Sequence, residues 1–332
     1  MPLVSSTETE KFAEYRKFIK NYQGTTCTQD PDWTLVKSNW EGYNVYLDDE
    51  NGKIIAAVTI QTITNERGWT FAYGLKGPMM DRTDLVLMQK LYDEVENVLS
   101  DKQVFLIRMD PETVYTEEYK TALESAGFIV RGGGLDSHGT IQPRFNMVLD
   151  LVDKTPEDLM AEFHKKTRYN IRLAGRRDVE VKWDDSDEAI ETFFKLHEEM
   201  SARQGISYRP IEYFRNMRAA FGAGFRVYLA SHEEDVLGAA IAIVYGDKAW
   251  YAYGGSSDVK RNLMPNYLLQ WEMINWAMAE GCHRYDFAGV FALDDSDGLY
   301  KFKNGFTHTE GVTEYIGEID RVLNQTEYEL FN

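Results

Sequence analysis

A lysine-bearing aromatic stretch near the end of the chain has the residue types needed for acyl-transfer chemistry. The segment 298–306 alternates aromatic with cationic side chains and places Lys303 beside Phe302. It follows a predicted buried strand, 284–290, and a turn-rich acidic loop, 294–298. A strand and loop that present a lysine among aromatic rings keep water away from its ammonium group, which can then stabilise an oxyanion. The same pattern also fits an edge strand whose lysines are solvated.

A second group of cations lies on a helix predicted over 156–176. Its basic residues recur at spacings of three to four and share one helix face: Lys165, Arg168, Arg172 and Arg176. In a chain whose net charge is −18, this face is a local exception. It suits a polyanion such as an RNA end, and it fits a solvated helix surface equally well.

Arg209 stands before Pro210 at the start of another predicted helix. Its planar guanidinium can hold a phosphate group through two parallel hydrogen bonds, although a surface ion pair is the plainer interpretation. The six histidines have no metal-binding spacing, and the chain offers no Ser-His-Asp or Cys-His arrangement. Cys27 and Cys282 lie far apart and indicate neither a disulfide framework nor a zinc site. We therefore predict a site without metal or cofactor.

The composition is that of a globular protein of about two domains. The 332 residues are 43% apolar and 27% charged, with only 8 prolines. The acidic balance argues against general affinity for nucleic acid or anionic membranes. The first ten residues lack the basic start and apolar core of a signal peptide, and no apolar run approaches membrane-spanning length. We expect a cytoplasmic monomer without membrane insertion.

The elements that must position the candidate residues occur twice in the chain. The pattern in each half predicts helix, hairpin, strand, helix, strand and helix, with the copies about 180 residues apart. Three short echoes support the repeat: Val227-Tyr-Leu229 with Val45-Tyr-Leu47, Tyr251-Ala-Tyr-Gly254 with Phe71-Ala-Tyr-Gly74, and Asn304-Gly-Phe306 with Ala126-Gly-Phe128. We predict an α/β (α+β) fold with mixed sheets and two domains, 1–145 and 146–314, with the tail 315–332 packing on the first. The glycines of 131–134 form a predicted mobile loop, not a phosphate-binding fingerprint.

Taken in order, these motifs resemble the FemABX peptidyltransferase family, and most of all its FemX-like branch. The likeness runs from Thr28-Gln-Asp to the Glu314-Tyr-Ile-Gly stretch and includes the basic helix, Arg209-Pro-Ile-Glu-Tyr-Phe214 and Leu299-Tyr-Lys-Phe-Lys303. It implies two tandem acetyltransferase-like (GNAT-like) domains. The chain has no heptad stretch, which favours the type without a coiled-coil arm. The resemblance implies transfer of an amino acid, alanine by default, from aminoacyl-tRNA to the stem-peptide lysine of UDP-MurNAc-pentapeptide, the first step of interpeptide bridge synthesis.

The resemblance also assigns site residues. Those that match nucleotide-sugar positions are Lys37, Arg209, Tyr213, Tyr253 and Ser207, the last standing where the family has threonine. Phe302 and Lys303 match the pair at the reaction centre, and Asp110 matches an acidic residue that faces the peptide channel. Phe105 stands where the relative has tyrosine, so any hydroxyl contact is lost.

The implied chemistry is attack of a neutral amine on an activated ester, which needs no covalent enzyme intermediate. Lys303 is our candidate for stabilising the oxyanion and the leaving ribose oxygen. Asp110 can orient or deprotonate the amine, but a carboxylate with an ordinary pKa is a poor base for an alkyl ammonium. We therefore predict that Lys303→Met nearly abolishes transfer, whereas Asp110→Asn retains much of it.

Two other functions stay open from the sequence. An acyl-CoA-dependent N-acyltransferase has the same fold, but it holds pyrophosphate on a glycine-rich turn. Neither 256–265 nor 77–83 offers such a turn. A non-catalytic module would bind the nucleotide sugar without turnover. Serine and glycine remain possible in place of alanine.

Overall fold

Two mixed β-sheets, each with its own helices, carry the fold in a computed structural model that describes residues 3–5, 7–132 and 139–331. Contacts divide the chain into two units. The first comprises Met1–Phe145 and Glu314–Asn332, and the second Asn146–Thr313. The glycine loop predicted at 131–134 falls partly outside the described residues. The division into two domains that fold separately stays a prediction.

The first unit is built on a sheet of eight strands in the order β1-β2-β3-β4-β6-β15-β7, with β5 paired to β3. Its strands are β1 Leu3–Val4, β2 Glu41–Asp48, β3 Ile54–Thr64, β4 Trp69–Gly74, β5 Met79–Met80, β6 Gln103–Met109, β7 Ile129–Arg131 and β15 Glu318–Val322. Its helices are α1 Thr9–Asn21, α2 Leu85–Val98, α3 Glu117–Ser125 and α10 Gln325–Phe331. Only β4 and β6 pair in parallel among the ladders described here.

The carboxyl-terminal tail completes the first sheet. Strand β15 lies between β6 and β7 and pairs antiparallel with both. Its Asp320 receives two hydrogen bonds from the buried Arg108 guanidinium, each 2.7 Å long. Ile319 joins the apolar core that β3 and α2 supply. The tail is therefore an integral strand of this sheet, because without it the Arg108 charge and the β6 edge would lose their partners.

The second unit is built on a seven-stranded sheet in the order β14-β8-β13-β12-β11-β10-β9. Its strands are β8 Phe145–Asp150, β9 Glu180–Asp184, β10 Phe225–His232, β11 Asp235–Tyr245, β12 Lys248–Ser256, β13 Arg284–Val290 and β14 Val312–Glu314. Its helices are α4 Pro156–Glu162, α5 Lys165–Arg176, α6 Asp187–Gln204, α7 Ile211–Phe221, α8 Pro265–Ala279 and α9 Gly298–Thr307. Strands β12 and β13 pair in parallel, and β9, β10, β11 and β12 each pair antiparallel with the next.

The predicted repeat is confirmed by the order of these elements. In the first unit two antiparallel pairings, β2–β3 and β3–β4, lead through α2 to the parallel strand β6. In the second unit β10–β11 and β11–β12 lead through α8 to the parallel strand β13. Each copy buries an apolar strand run between helices, so the α/β prediction with mixed sheets is correct. No helix within the described residues is both long enough and apolar enough to cross a bilayer.

Two local predictions are wrong. The helix expected over 156–176 is broken into α4 and α5, because Phe163 is extended and its ring packs on Trp271 and Phe306. The segment 298–306 is helix α9, as the repeat predicts, and not the edge strand or loop that its aromatic and cationic alternation suggested. Asp297 caps this helix by accepting a hydrogen bond from the Tyr300 amide at 2.7 Å.

Candidate functional site

Helix α9 places the Lys303 side chain inside the second unit. The residue is 3% exposed, and its Nζ donates a hydrogen bond to the carbonyl oxygen of Gly289 at 2.8 Å. Gly289 lies near the end of β13, the strand that precedes the acidic loop. Lys301, which alternates with it in sequence, is exposed on the same helix. The solvated-lysine interpretation therefore holds for Lys301 and is wrong for Lys303.

The surroundings of Lys303 hold a poorly solvated ammonium whose pKa lies close to the neutral range. Burial lowers the pKa of Lys303 to about 8, while the charges of Asp286 and Asp297 act in the opposite direction. At pH 7 the group is still mainly an ammonium, and little water surrounds it. A positive charge held in this way stabilises a developing oxyanion far better than a solvated lysine can.

Close backbone packing fixes α9 against the basic helix α5. A Cβ atom on Gly305 would lie 2.2 Å from Oγ1 of Thr167, so only glycine fits at this contact. The carbonyl oxygen of Gly305 accepts a hydrogen bond from the His164 amide at 2.9 Å. Gly305 is therefore a contact glycine inside a helix, whereas Gly127, its predicted counterpart, has φ 91° just after α3. The sequence similarity between Asn304-Gly-Phe306 and Ala126-Gly-Phe128 therefore does not reflect equivalent backbone geometry.

Phe302 borders a cavity beside the start of α8. Its ring lies 4.9 Å from the ring of Tyr267 and 5.5 Å from that of Phe306. The cavity has a volume of about 380 Å³ and is lined by Phe302, Tyr267, Arg261 and Asn262 among others. The pair Phe302–Lys303 thus places an aromatic wall and a buried cation on successive positions of one helix.

A cluster of aromatic residues brings three of the predicted nucleotide-sugar residues together. The Arg209 guanidinium lies 5.6 Å from the centre of the Tyr213 ring. The Tyr253 hydroxyl donates to that of Tyr213 at 3.3 Å. Ser207 and Arg209 are exposed on the extended segment that leads into α7. Sequence inspection missed His197, whose Nδ1 lies 2.6 Å from the Gly254 carbonyl oxygen and whose ring packs on Tyr253.

Two further predicted residues, Lys37 and Asp110, belong to the first unit. Lys37 is half-buried, with its Nζ 4.3 Å from the centre of the Trp40 ring. Phe105, at the position where the family resemblance expects tyrosine, is 3% exposed and packs against Phe331 at 5.5 Å between ring centres. Phe105 is therefore a core residue.

Asp110 follows the end of β6 and is 7% exposed. The Tyr73 hydroxyl donates to its Oδ2 at 2.7 Å, and the Lys76 amide donates to its Oδ1 at 2.5 Å. Burial nevertheless raises the pKa of Asp110 to about 7. This corrects the expectation of an ordinary carboxyl pKa: the group can accept a proton near neutral pH, as a general base must.

The basic face of α5 is only partly available to a ligand. Lys165, Arg172 and Arg176 are exposed. Arg168 is half-buried instead, and its Nη1 donates to the carbonyl oxygens of Ala161, at 2.8 Å, and Phe163. Arg168 thus holds the end of α4, and its role in RNA contact stays a prediction. Arg172 borders a groove of about 590 Å³ that also contains Trp271, a residue the sequence did not single out.

The described residues hold no cluster of three or more His, Cys, Asp or Glu side chains that could bind a metal ion. The buried pair of Lys248 on β12 and Asp286 on β13 was also missed from sequence, with 3.7 Å between Nζ and Oδ2. The one available signal was a single acidic residue within the apolar strand 284–290.

Comparisons with known proteins agree with this architecture. The sequence model described as the FemAB family matches residues 8–235 and 230–332. A UDP-N-acetylmuramoylpentapeptide-lysine N(6)-alanyltransferase from Weissella viridescens is 39% identical over 336 aligned positions, which cover 99% of this chain and 98% of that protein. The crystal structure of FemX superposes with a TM-score of 0.84 at 22% identity and covers 96% of this chain and 98% of that one. A tandem GNAT protein from the clavulanic acid biosynthesis pathway gives a TM-score of 0.57 at 10% identity over 96% and 97% of the two chains. The two structural matches confirm the predicted tandem GNAT-like fold.

Proposed function

The chain belongs to the FemAB family, and from that premise we propose that it transfers L-alanine from alanyl-tRNA to the side-chain amine of the stem-peptide lysine in UDP-MurNAc-pentapeptide. The relative of 39% identity is named as an alanyltransferase acting on this type of acceptor. The observation that carries the proposal in the structure is the Lys303 amine, buried at the end of β13 and hydrogen-bonded to the Gly289 carbonyl. The acceptor is a soluble nucleotide sugar, so we place the reaction in the cytoplasm.

The reaction joins the lysine nitrogen to the carbonyl carbon of the aminoacyl ester and breaks the bond between that carbon and the ribose oxygen. The amine must attack as the neutral species, so an alkyl ammonium first gives up one proton. A second proton leaves the nitrogen as the amide forms and goes to the ribose oxygen. The net products are an amide, a free ribose hydroxyl and one released proton.

We assign Lys303 to the negative charge that develops in this sequence. Its ammonium stabilises the tetrahedral oxyanion and then the departing ribose oxygen. Phe302, the preceding residue of α9, supports this role as part of an apolar cluster with Tyr267 and Phe306. Because its pKa is about 8, Lys303 remains cationic over the neutral range while carrying a proton that it can share.

We assign Asp110 to the attacking amine. A carboxyl whose pKa is about 7 is matched to proton transfer at neutral pH. The hydrogen bonds from Tyr73 and Lys76 fix its orientation, so it can also direct the nitrogen lone pair at the ester. Correct placement of two bound substrates supplies a large part of the rate.

Arg209, Tyr213, Tyr253, Ser207 and Lys37 are the residues we assign to the nucleotide sugar. The exposed guanidinium of Arg209 offers the planar donor pair that a diphosphate accepts. Tyr213 packs beneath that guanidinium. The tRNA is assigned to the exposed cations of α5, with Arg172 and Arg176 as its main contacts, because the rest of the chain is strongly acidic.

Mass spectrometry of UDP-MurNAc-pentapeptide tests the proposal directly. The protein is incubated with this acceptor and, in separate reactions, with alanyl-, seryl- and glycyl-tRNA and with acetyl-CoA. A gain of one alanine residue on the stem lysine is the expected result. Acetylation with acetyl-CoA and no gain with any tRNA would instead identify an acyl-CoA-dependent transferase. Saturable binding of the nucleotide sugar without any product would identify a binding module.

A further inference from the structure

The Gly289 carbonyl that receives Lys303 is presented by a turn inside β13. Ala288, the residue before it, has φ 63°, in the left-handed region that residues other than glycine seldom occupy. A conformation of this kind persists only where the surrounding structure holds it. A neighbouring group must therefore stabilise the turn at Ala288.

The carboxylate of Asp286 is that group. Its Oδ1 accepts a hydrogen bond from the Ala288 amide at 2.8 Å, which closes a short loop of backbone around the turn. Asp286 is 1% exposed, so the contact is shielded from water. Its other oxygen lies 3.7 Å from Nζ of Lys248, which is 2% exposed on the neighbouring strand. The buried ion pair thus ties the turn to β12.

In the Lys248–Asp286 pair, Asp286 lies where the parallel pairing of β12 and β13 ends. The parallel register of β12 and β13 runs from Lys248 opposite Arg284 to Trp250 opposite Asp286. Asp286 is therefore the last residue of β13 in that register, and the turn at Ala288 begins directly beyond it. The corresponding register in the first unit continues over the whole of β4, to Gly74 opposite Met109. The parallel pairing of the second unit therefore stops at Asp286, just before β13 reaches the Gly289 carbonyl that binds Lys303.

We propose that Asp286, fixed by Lys248, is a positioning residue for the transfer reaction. It stabilises the turn that directs the Gly289 carbonyl at the Lys303 amine, and its negative charge keeps that amine cationic. The inference rests on the proposed function of Lys303 and extends it to two residues that have no contact with substrate in that scheme.

The charges that act on Lys303 make this role testable. Asp286 on β13 and Asp297 before α9 both favour the ammonium form, with Asp286 the stronger, and burial opposes them. Lys248 faces Asp286 from β12 and partly offsets its charge. Removing the charge of Asp286 should therefore make Lys303 lose its proton at lower pH. Removing the charge of Lys248 should have the opposite effect.

The experiment uses Asp286→Asn and Lys248→Met in the full chain, with Asp295→Asn as a control that removes an exposed carboxylate from the loop before α9. The Lys303 titration is followed by NMR of the 13Cε signal in lysine-labelled protein and is assigned by its loss in Lys303→Met. We expect the titration to move down by about one pH unit in Asp286→Asn, up in Lys248→Met, and to stay unchanged in the control. The kcat of Asp286→Asn should fall about tenfold or more, with KM for both substrates within about twofold.

Three further variants keep the test decisive if a buried charge left alone impairs folding. The double variant Lys248→Met/Asp286→Asn removes both charges together. Ala288→Val disfavours the turn through its β-branched side chain, whereas Ala288→Gly adopts it with ease, so valine should give the lower kcat. Circular dichroism and thermal unfolding show which variants are folded.

An unchanged Lys303 titration in folded Asp286→Asn would overturn the inference. So would a loss of kcat/KM that comes entirely from KM, or equal kcat values for Ala288→Val and Ala288→Gly. Failure of the proposed function gives a different result: the wild type would then transfer no alanine, or Lys303→Met would transfer it at the wild-type rate. The NMR titration does not depend on activity and separates the two failures.

Discussion

The carboxylate of Asp110 accepts a hydrogen bond from the Tyr73 hydroxyl at 2.7 Å, in a pocket that leaves both side chains almost inaccessible to water. The hydrogen bond favours the charged carboxylate, but burial disfavours it more strongly, so the pKa of Asp110 rises to about 7. The group that orients the amine in our proposal is therefore also one that titrates in the physiological range.

Transfer should depend on pH through this residue. The rate should rise through about pH 7 as Asp110 loses its proton, and fall above about pH 8 as Lys303 loses its own. Because its pKa is about 7, we revise the expectation that Asp110→Asn retains much of the activity: the variant should lose the acid limb of the profile, and its kcat should fall roughly tenfold at pH 8. The measurement is kcat against pH for wild type and variant, with both substrates saturating.

Tyr73→Phe provides the matched control for that profile. It removes the hydrogen bond that lowers the pKa of Asp110 and leaves the carboxyl in place. The acid limb should move to higher pH, not vanish. An acid limb that is identical in wild type, Asp110→Asn and Tyr73→Phe would assign it to another group.

Lys303→Met should abolish transfer and stabilise the fold. We expect kcat to fall roughly a thousandfold, since the oxyanion loses its cation. The folded pKa of Lys303, about 8, lies below its ordinary 10.5, so at pH 7 the folded state carries a buried charge that costs on the order of 3 kcal/mol. Methionine removes that cost, and the variant should unfold at a higher temperature than wild type.

The difference in stability between wild type and Lys303→Met should depend on pH. Below about pH 8 the lysine is protonated in both folded and unfolded states, so the advantage of methionine is constant. Between about pH 8 and 10.5 the folded state releases its proton first, and the stability of wild type rises towards that of the variant. Lys301→Met, on the exposed side of α9, should change neither kcat nor this profile.

The fold was largely predictable from sequence, because both copies repeat long apolar strand runs such as those of β3 and β11. The burial of Lys303 was not, since the alternation around it has the period of a strand and only the Asp297 cap and the packing of Phe306 make it helical. The Lys248–Asp286 pair joins residues on two strands separated by α8, a relation that local pattern cannot reveal.

Arg209→Ala should weaken binding of the nucleotide sugar. The arginine is exposed next to the Tyr213 ring, where it can hold a diphosphate, and it contacts no reacting atom in our scheme. We expect KM for UDP-MurNAc-pentapeptide to rise roughly tenfold or more, with kcat and the KM for tRNA little changed. Arg209→Lys should recover only part of the loss, because an ammonium lacks the planar donor pair.

Arg218→Ala is the control for a general effect of removing an arginine from this region. Arg218 lies on α7, the helix that also carries Tyr213. Its guanidinium pairs with Asp187 of α6 at 3.2 Å. The KM for the nucleotide sugar should stay at the wild-type value. An equal rise in both variants would show that Arg209 acts through the helix and not through the phosphates.

Charge reversal on α5 should affect the tRNA alone. Arg172→Glu/Arg176→Glu replaces two exposed cations, and we expect the KM for alanyl-tRNA to rise while that for the nucleotide sugar is unchanged. The salt dependence of tRNA binding should also become shallower, because fewer counterions are released. Lys182→Glu, which reverses a lysine that is 78% exposed on β9, is the control for charge reversal on another element. A tRNA KM that stays constant in the double variant would exclude α5 as the contact surface.

Asp320→Ala should destabilise the first unit in particular. The aspartate receives both Arg108 hydrogen bonds and a third, from the Tyr328 hydroxyl at 3.0 Å, so its loss leaves a buried guanidinium with less compensation. We expect a loss of about 3–5 kcal/mol in the free energy of unfolding. Hydrogen exchange followed by mass spectrometry should show lost protection in β6 and β15 and retained protection in β11 and β12, if the two units fold separately. Glu329→Ala removes an exposed carboxylate of the same tail and should leave exchange unchanged. Equal loss of protection in both sheets would contradict the division into two folding units.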